Sequence, residues 1–232
     1  MSKEKLQIKR RSMFGEVMVR FLRKPIAVFG AVIMIVVVAL CLLAPVIAPY
    51  DIDAQDITRK FTEPSQEFIC GTDNLGRDIF SRLLYGGRIS LMVGFVSASI
   101  AAILGVILGA IAAFYGKRTD NIIMRILDVF MALPQMLLAI AISAMIGTGI
   151  KGAIIAVTVA TIPRYAQAVR GPILSIRNQE FVEAAFAIDA KDSRIVLRHI
   201  LPNVLSPIIV QVTMGVGNAI TMAASLSFIR LG

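Results

Sequence analysis

The chain has 232 residues, 57% of them hydrophobic, and a formal net charge of +9. Its mean hydropathy of +0.79 represents more apolar side chain than a water-soluble domain of this length can bury, which excludes an ordinary soluble fold. The positive charge raises the question of a nucleic-acid partner, but the basic residues lack the aromatic interleaving of such an interface, and that reading is set aside.

Residues 1–24 hold eight basic residues, and Met13, Phe14, Val17, Met18 and Phe21 recur at helical spacing. They read either as an amphipathic helix on the inner membrane surface or as a positive tail that only fixes topology. Residues 25–48 carry no charge and suffice to cross a hydrocarbon core of roughly 30 Å, with Pro45 and Pro49 limiting the far end. Further hydrophobic segments follow, so this first span is an anchor and not a cleaved signal peptide. Residues 49–88 form the longest polar stretch, expected on the far side of the membrane. A second span is expected over 89–115, where Gly105 and Gly109 have the spacing of a close-packing face or simply of a glycine-tolerant membrane helix. After a tight turn at 116–121, a third span covers 122–146. Pro134 is expected to kink it and free a carbonyl for Gln135 or a neighbouring span. The fourth and fifth spans are expected at 152–169 and 204–228, with a polar island between them.

With a cytoplasmic N-terminus, these spans place 17 basic and 8 acidic residues on the cytoplasmic side and 7 of each on the other. The positive-inside rule therefore accounts for the whole charge excess. Cys41 lies in the first span and Cys70 in the loop beyond it, so no disulfide framework is expected. Gly116-Lys117 is followed by Arg118, which leaves no phosphate-binding loop, and the single His199 has no evident nucleophile to serve. Neither a metal nor another cofactor is expected. The task of such a chain is movement.

Within the polar island, Phe181, Ala184, Ala185 and Ile188 make one helical stripe, which Asp189, Ala190, Lys191 and Asp192 interrupt. A second short helix carries Ile195, Val196 and Ile200 and is expected to stop at Pro202. Two short helices joined by a bend form a knob outside the membrane.

These residues carry a resemblance. Glu183-Ala184-Ala185, the bend, Ile195 and His199-Ile200-Leu201-Pro202-Asn203 resemble the EAA loop of bacterial ABC importer permeases. Gly71-Thr72-Asp73-Asn74-Leu75-Gly76-Arg77-Asp78 resembles the GTDxLGRD signature of the second, C-type permease of dipeptide, oligopeptide and nickel importers. Arg125-Ile126-Leu127-Asp128, followed by Pro134, resembles that family's third span. The likeness runs from about Arg20 onward.

It implies an all-α polytopic membrane protein with the transmembrane fold of type I ABC importers, in the inner membrane of a bacterium or archaeon. Residues 1–24 would be a cytoplasmic basic segment, 25–48 an anchor, 49–88 an extracytoplasmic loop, and 89–232 the permease core with its coupling loop at 171–203. The implied partners are a homologous permease, two ATP-binding subunits that carry out the hydrolysis, an extracytoplasmic solute-binding protein and lipid. The function implied is import of peptides or related small solutes, with this chain forming half of the pathway.

The resemblance implies that Glu183, Ala184, Ala185, Asp189, Ile195, His199, Ile200, Leu201 and Pro202 form the coupling surface. Glu183 would stabilise the start of the loop, while Ile195, Ile200 and Leu201 anchor its second helix. Gly71, Thr72, Asp73, Gly76, Arg77 and Asp78 form the extracytoplasmic signature, with the charged ones in a local network. Arg125 and Asp128, three apart, either pair structurally or border the pathway, as does Pro134.

Three departures from the family pattern stand out. Asp189 replaces a glycine, and aspartate is expected to preserve the left-handed bend and to cap the second helix together with Asp192. Arg230 replaces a small residue. Five spans are expected where the family usually has six, as in a fragment, a truncated product or a subunit that manages without the last helix. The alternatives are a non-transporting remnant that occupies a partner permease, and an ion-coupled secondary transporter, against which stands the scarcity of acidic residues deep in the spans.

Overall fold

A computed structural model describes residues 13–229, and Arg230 and residues 1–12 lie outside it. The described part is helical apart from its connecting loops and one isolated bridge between Thr72 and Asp78. It divides at Arg88–Ile89 into two compact units, each described by itself.

The first unit opens with helix α1 (Met13–Leu22), then α2 (Pro25–Leu42) and the short α3 (Ala44–Ile47). Pro25 takes the first position of α2, where its fixed φ suits the helix and its missing N–H costs nothing. Only 6% of the α2 segment is buried, at a hydropathy of 2.9, so this chain leaves it open almost all round, as befits an apolar span. The span expected to reach residue 48 is broken after Leu42, and the chain restarts as α3 with Pro45 in its first turn. Cys41 and Cys70 are both free thiols. Helix α4 (Ile79–Tyr115) begins ten residues before the expected boundary, because the Asp78 carboxylate accepts the Ser81 N–H at 2.7 Å and caps the helix there.

The second unit is organised around α7 (Ile150–Arg177), whose membrane segment is 61% buried, against 39% for α4. Gly105 and Gly109 let α4 approach it backbone to backbone. A Cβ on Gly109 would lie 2.4 Å from the Ala166 carbonyl oxygen, and one on Gly105 would lie 2.5 Å from the Tyr165 Cβ. The spacing therefore marks a packing face. Further along the same seam, the Ser97 hydroxyl donates to the Ile154 carbonyl at 3.3 Å. Small residues fill the core where α4, α7, α6 (Gln135–Ile146) and α10 (Leu205–Phe228) meet, among them Ala98, Ala139, Ala156, Ala219 and Ala223.

The expected third span is two helices. The amphipathic α5 (Lys117–Met131) and the apolar α6 meet at an angle of 86°. Pro134 disfavours helical backbone at Leu133, and its own ψ of 126° starts a new direction. At 12 residues α6 is ~18 Å long, too short to cross alone. Among the described residues four helices are long and apolar enough to span a membrane, and five spans result if the bent pair counts as one. The Gln135 amide nitrogen is buried without a partner, so the carbonyl contact expected of it does not form.

Beyond α7 the chain forms α8 (Glu180–Ala187) and α9 (Asp192–Ile195), then a π turn over Val196–Ile200 and a 3-10 turn over Leu201–Val204 that leads into α10. Pro202 does not stop the helix, as expected from sequence, but changes its register. Without an N–H it cannot bond the carbonyl four residues back, and the backbone is wide before it and tight after it. The Asn203 side-chain amide donates to the His199 carbonyl at 2.6 Å, in place of a backbone donor.

Substituting Gly109 with leucine is expected to destabilise the protein by about 1–3 kcal/mol through overpacking against Ala166. Gly217→Ala, where nothing lies within 4 Å, should change little. Thermal unfolding of the detergent-solubilised protein compares the two.

Candidate functional site

The elbow from α8 to the 3-10 turn sits on the ends of α4 and α7. Val182, Ala185, Ile195 and Ile200 are buried in one cluster with Ala113 and Phe114 of α4 and with Val169 and Ile173 of α7. Phe186 is half exposed and stacks on Phe114, their ring centroids 5.9 Å apart. The stripe expected from sequence is therefore divided. Ala185 faces inward, whereas Phe181, Ala184 and Ile188 face outward, with Ile188 79% exposed. Val182, missed in the sequence, takes the inward position because α4 and α7 offer an apolar seat only on that side.

The bend is a Schellman turn. Asp189 has φ +53°, its N–H bonds the Phe186 carbonyl at 3.0 Å, and the Ala190 N–H bonds the Ala185 carbonyl at 3.2 Å. Aspartate thus adopts the left-handed conformation. The further expectation that Asp189 caps the second helix is not met. The residue at the cap of α9 is Lys191, and no side chain bonds there. Glu183 is exposed in the first turn of α8, where the helix dipole favours a negative charge, and among the described residues it forms no ion pair. Leu201 packs at the edge of the cluster, His199 is partly exposed, and Pro202 is exposed.

Arg125 and Asp128 are both exposed on α5 and do not pair with each other. The ion pair at this end joins Asp120 of α5 to Arg170 of α7 through two parallel hydrogen bonds, Nε to Oδ1 at 2.6 Å and Nη2 to Oδ2 at 2.5 Å. A bidentate fork holds direction as well as distance, so it fixes α5 against α7. Arg177, further along α7, donates to the Ala113 carbonyl of α4 at 3.4 Å. Sequence reasoning missed the Asp120 pair, whose one signal was a lone acidic residue among Lys117, Arg118 and Arg125.

In the first unit, the signature residues 71–78 close on themselves. Asp73 Oδ1 accepts the Leu75 and Arg77 N–H groups at 2.8 and 3.0 Å, and Oδ2 accepts the Arg77 guanidinium at 2.8 Å. Gly76 has φ +72°, and a Cβ there would fall 1.7 Å from the Asp56 carbonyl oxygen, so glycine is obligatory. Gly71 is also left-handed, at φ +73°. The Thr72 hydroxyl accepts the Thr62 N–H at 2.9 Å and donates to the Arg59 carbonyl. Tyr50 stacks on Phe68, over which Arg59 lies at 5.6 Å. Asp78 is buried, with Oδ2 capping α4 and Oδ1 unpartnered. Partial burial alone would raise the Asp73 pKa. The Arg77 side chain, the two backbone N–H groups and the Arg77 charge outweigh it and hold the carboxyl at about 2.

Residues 105–232 match the family model of the binding-protein-dependent transport system inner membrane component, and residues 12–64 match the N-terminal transmembrane domain of oligopeptide transport permease C. The chain is 41% identical over 210 residues to the dipeptide transport system permease protein DppC of Alkalihalophilus pseudofirmus, covering 90% of this chain and 69% of that one. It is 37% identical to the oligopeptide transport system permease protein OppC of Bacillus subtilis, covering 99% and 75%. To the glutathione transport system permease protein GsiD of an Escherichia coli strain it is 44% identical, covering 92% and 71%. Among solved structures, a MetNI methionine ABC transporter in an inward-facing conformation aligns with a TM-score of 0.56 at 22% identity, over 62% of this chain and 72% of that one.

Asp120→Ala is expected to cost about 1–3 kcal/mol, since it strands the Arg170 guanidinium, and the exchanged pair Asp120→Arg with Arg170→Asp should recover part of that loss in thermal unfolding. The low pKa of Asp73 has a definite sign. The folded carboxyl titrates below its ordinary 3.8, so its stabilisation is complete above that value and lost as pH falls towards about 2. Proteolysis of the 50–82 loop should therefore be faster in Asp73→Asn than in the parent at pH 7, and the difference should vanish near pH 2.

Proposed function

The chain belongs to the binding-protein-dependent transport family of inner membrane permeases, and on that premise we propose that it forms one half of the solute pathway of an ATP-driven importer for peptides or related small solutes. The elbow is its coupling element, held on the cytoplasmic side where ATP-binding subunits dock. A homologous permease supplies the other half of the pathway, and an extracytoplasmic solute-binding protein delivers the solute to the side of residues 49–78. The N-terminus is cytoplasmic.

The observation that carries this reading is the two-faced α8. Its inner residues, Val182 and Ala185, are buried against α4 and α7, while Phe181, Ala184 and Ile188 stand outward beside Glu180 and Glu183. An apolar stripe exposed on a helix outside the spans calls for a protein partner. A helix seated so firmly on two spans transmits a push without absorbing it. Hydrolysis in the ATP-binding subunits then becomes displacement of α4 and α7.

The test is co-expression of the chain with a partner permease and ATP-binding subunits, followed by pull-down and solute-stimulated ATPase assay in lipid. Ile188→Glu and Glu183→Ala are each expected to lower stimulated turnover by about tenfold or to release the ATP-binding subunits, at an outward surface that leaves folding intact. If the parent chain never captures those subunits, the reading fails.

A further inference from the structure

Exposed surface on the spans comes in two kinds. On α4 it is what lipid requires, with Phe95, Ile103 and Ile107 all exposed. On the second half of α7 it is polar or small: Arg164, Gln167, Gly171 and Ser175 succeed one another at spacings of three and four and lie on one face. The opposite face, with Tyr165, Ala166, Val169 and Ile173, is fully buried. This is the most buried of the spans; its first half leaves Ile150 and Ile155 exposed, whereas the open surface of its second half is not apolar.

Arg164 lies halfway along α7, ~9 Å from Arg170, which is held by Asp120. Among the described residues Arg164 feels the neighbouring Tyr165 phenol, but neither Arg164 nor Gln167 is held in a hydrogen bond or ion pair. A charge at membrane depth is costly against hydrocarbon, so such residues face a water-filled path or an opposite charge. A short amide such as Gln167 cannot reach the headgroups by snorkelling, which takes a long cationic side chain. The carboxylates of α5 both serve Arg170: Asp120 is engaged in its fork, and the Asp128 charge acts on the same guanidinium.

We propose that this face of α7 lines the solute pathway and that Arg164, with the Gln167 amide one turn away, receives the carboxylate of an anionic solute group, such as a free peptide C-terminus. The inference rests on the permease reading and adds to it the identity of the wall and of the group it recognises. A guanidinium offers paired donors that match a carboxylate. A fixed cation also raises the local concentration of anions at the wall.

The test uses the assembled complex in proteoliposomes, with Cys41→Ala and Cys70→Ser removing the native thiols. Gln167→Cys is labelled with an anionic and with a cationic membrane-impermeant thiosulfonate, and Ile103→Cys serves as the lipid-facing control. Gln167→Cys should react with both reagents while Ile103→Cys stays inert. Adding Arg164→Gln should lower the ratio of anionic to cationic rates by about tenfold. In the native-cysteine complex, Arg164→Gln should slow uptake of a dipeptide more than uptake of its C-terminal amide, with Arg164→Lys intermediate. Absence of labelling at Gln167→Cys means that the face is packed against lipid or the partner permease, and overturns the proposal. So does a rate ratio or peptide preference that Arg164→Gln leaves unchanged. Failure of the parent complex to assemble or hydrolyse ATP would strike the permease reading instead, which separates the two.

Discussion

Backbone-to-backbone contact between α4 and α7 at Gly105 and Gly109 is the constraint on which the second unit depends. In a membrane the apolar surface of a helix gains nothing by leaving lipid for another helix, so association rests on close packing and on hydrogen bonds. Two missing side chains allow that closeness, and the Ser97 hydroxyl adds a hydrogen bond along the same seam. The ends of both helices are then near enough for Ala113, Phe114, Val169 and Ile173 to form one floor. The elbow has somewhere to sit only because that floor exists. The Asp120–Arg170 fork secures α5 to the same end.

Proline acts differently at each of its three main positions, according to what surrounds it. At Pro25 it begins a helix at no cost. At Pro134 the chain turns through 86° between two half-spans. At Pro202 the helix survives, because a π turn and a 3-10 turn absorb the missing bond and Asn203 replaces the donor. Each case obeys the same accounting of backbone polar groups, which inside a membrane must be met locally.

Much of this was legible in the sequence. Hydropathy located the long spans, and two glycines four apart offered a packing face as one of two readings, between which the approach of α7 decides. In the GTDxLGRD stretch the charged residues suggested a local network, and Asp73 and Arg77, four apart, do pair. What remained illegible was non-local. In an eight-residue helix, Phe181-Val182-Ala184-Ala185-Ile188 offers two nearly equal apolar faces, and the floor beneath decides between them. Asp120 and Arg170 are 50 positions apart, and only the fold brings them together. The start of α4 was placed too late because residues 49–88 read as one polar stretch, whereas the cap at Asp78 starts the helix inside it. Pro134 announced a bend but not its size.

Asp189 bears on how the sequence can vary. A left-handed residue that closes a Schellman turn admits glycine, asparagine or aspartate and penalises nearly everything else. Glycine and aspartate codons differ by one base at the second position. The change from the glycine that the resemblance implies to this aspartate is therefore a single mutational step between two residues the turn tolerates. Drift at this hinge runs along a narrow corridor, open to small polar residues and closed to branched ones.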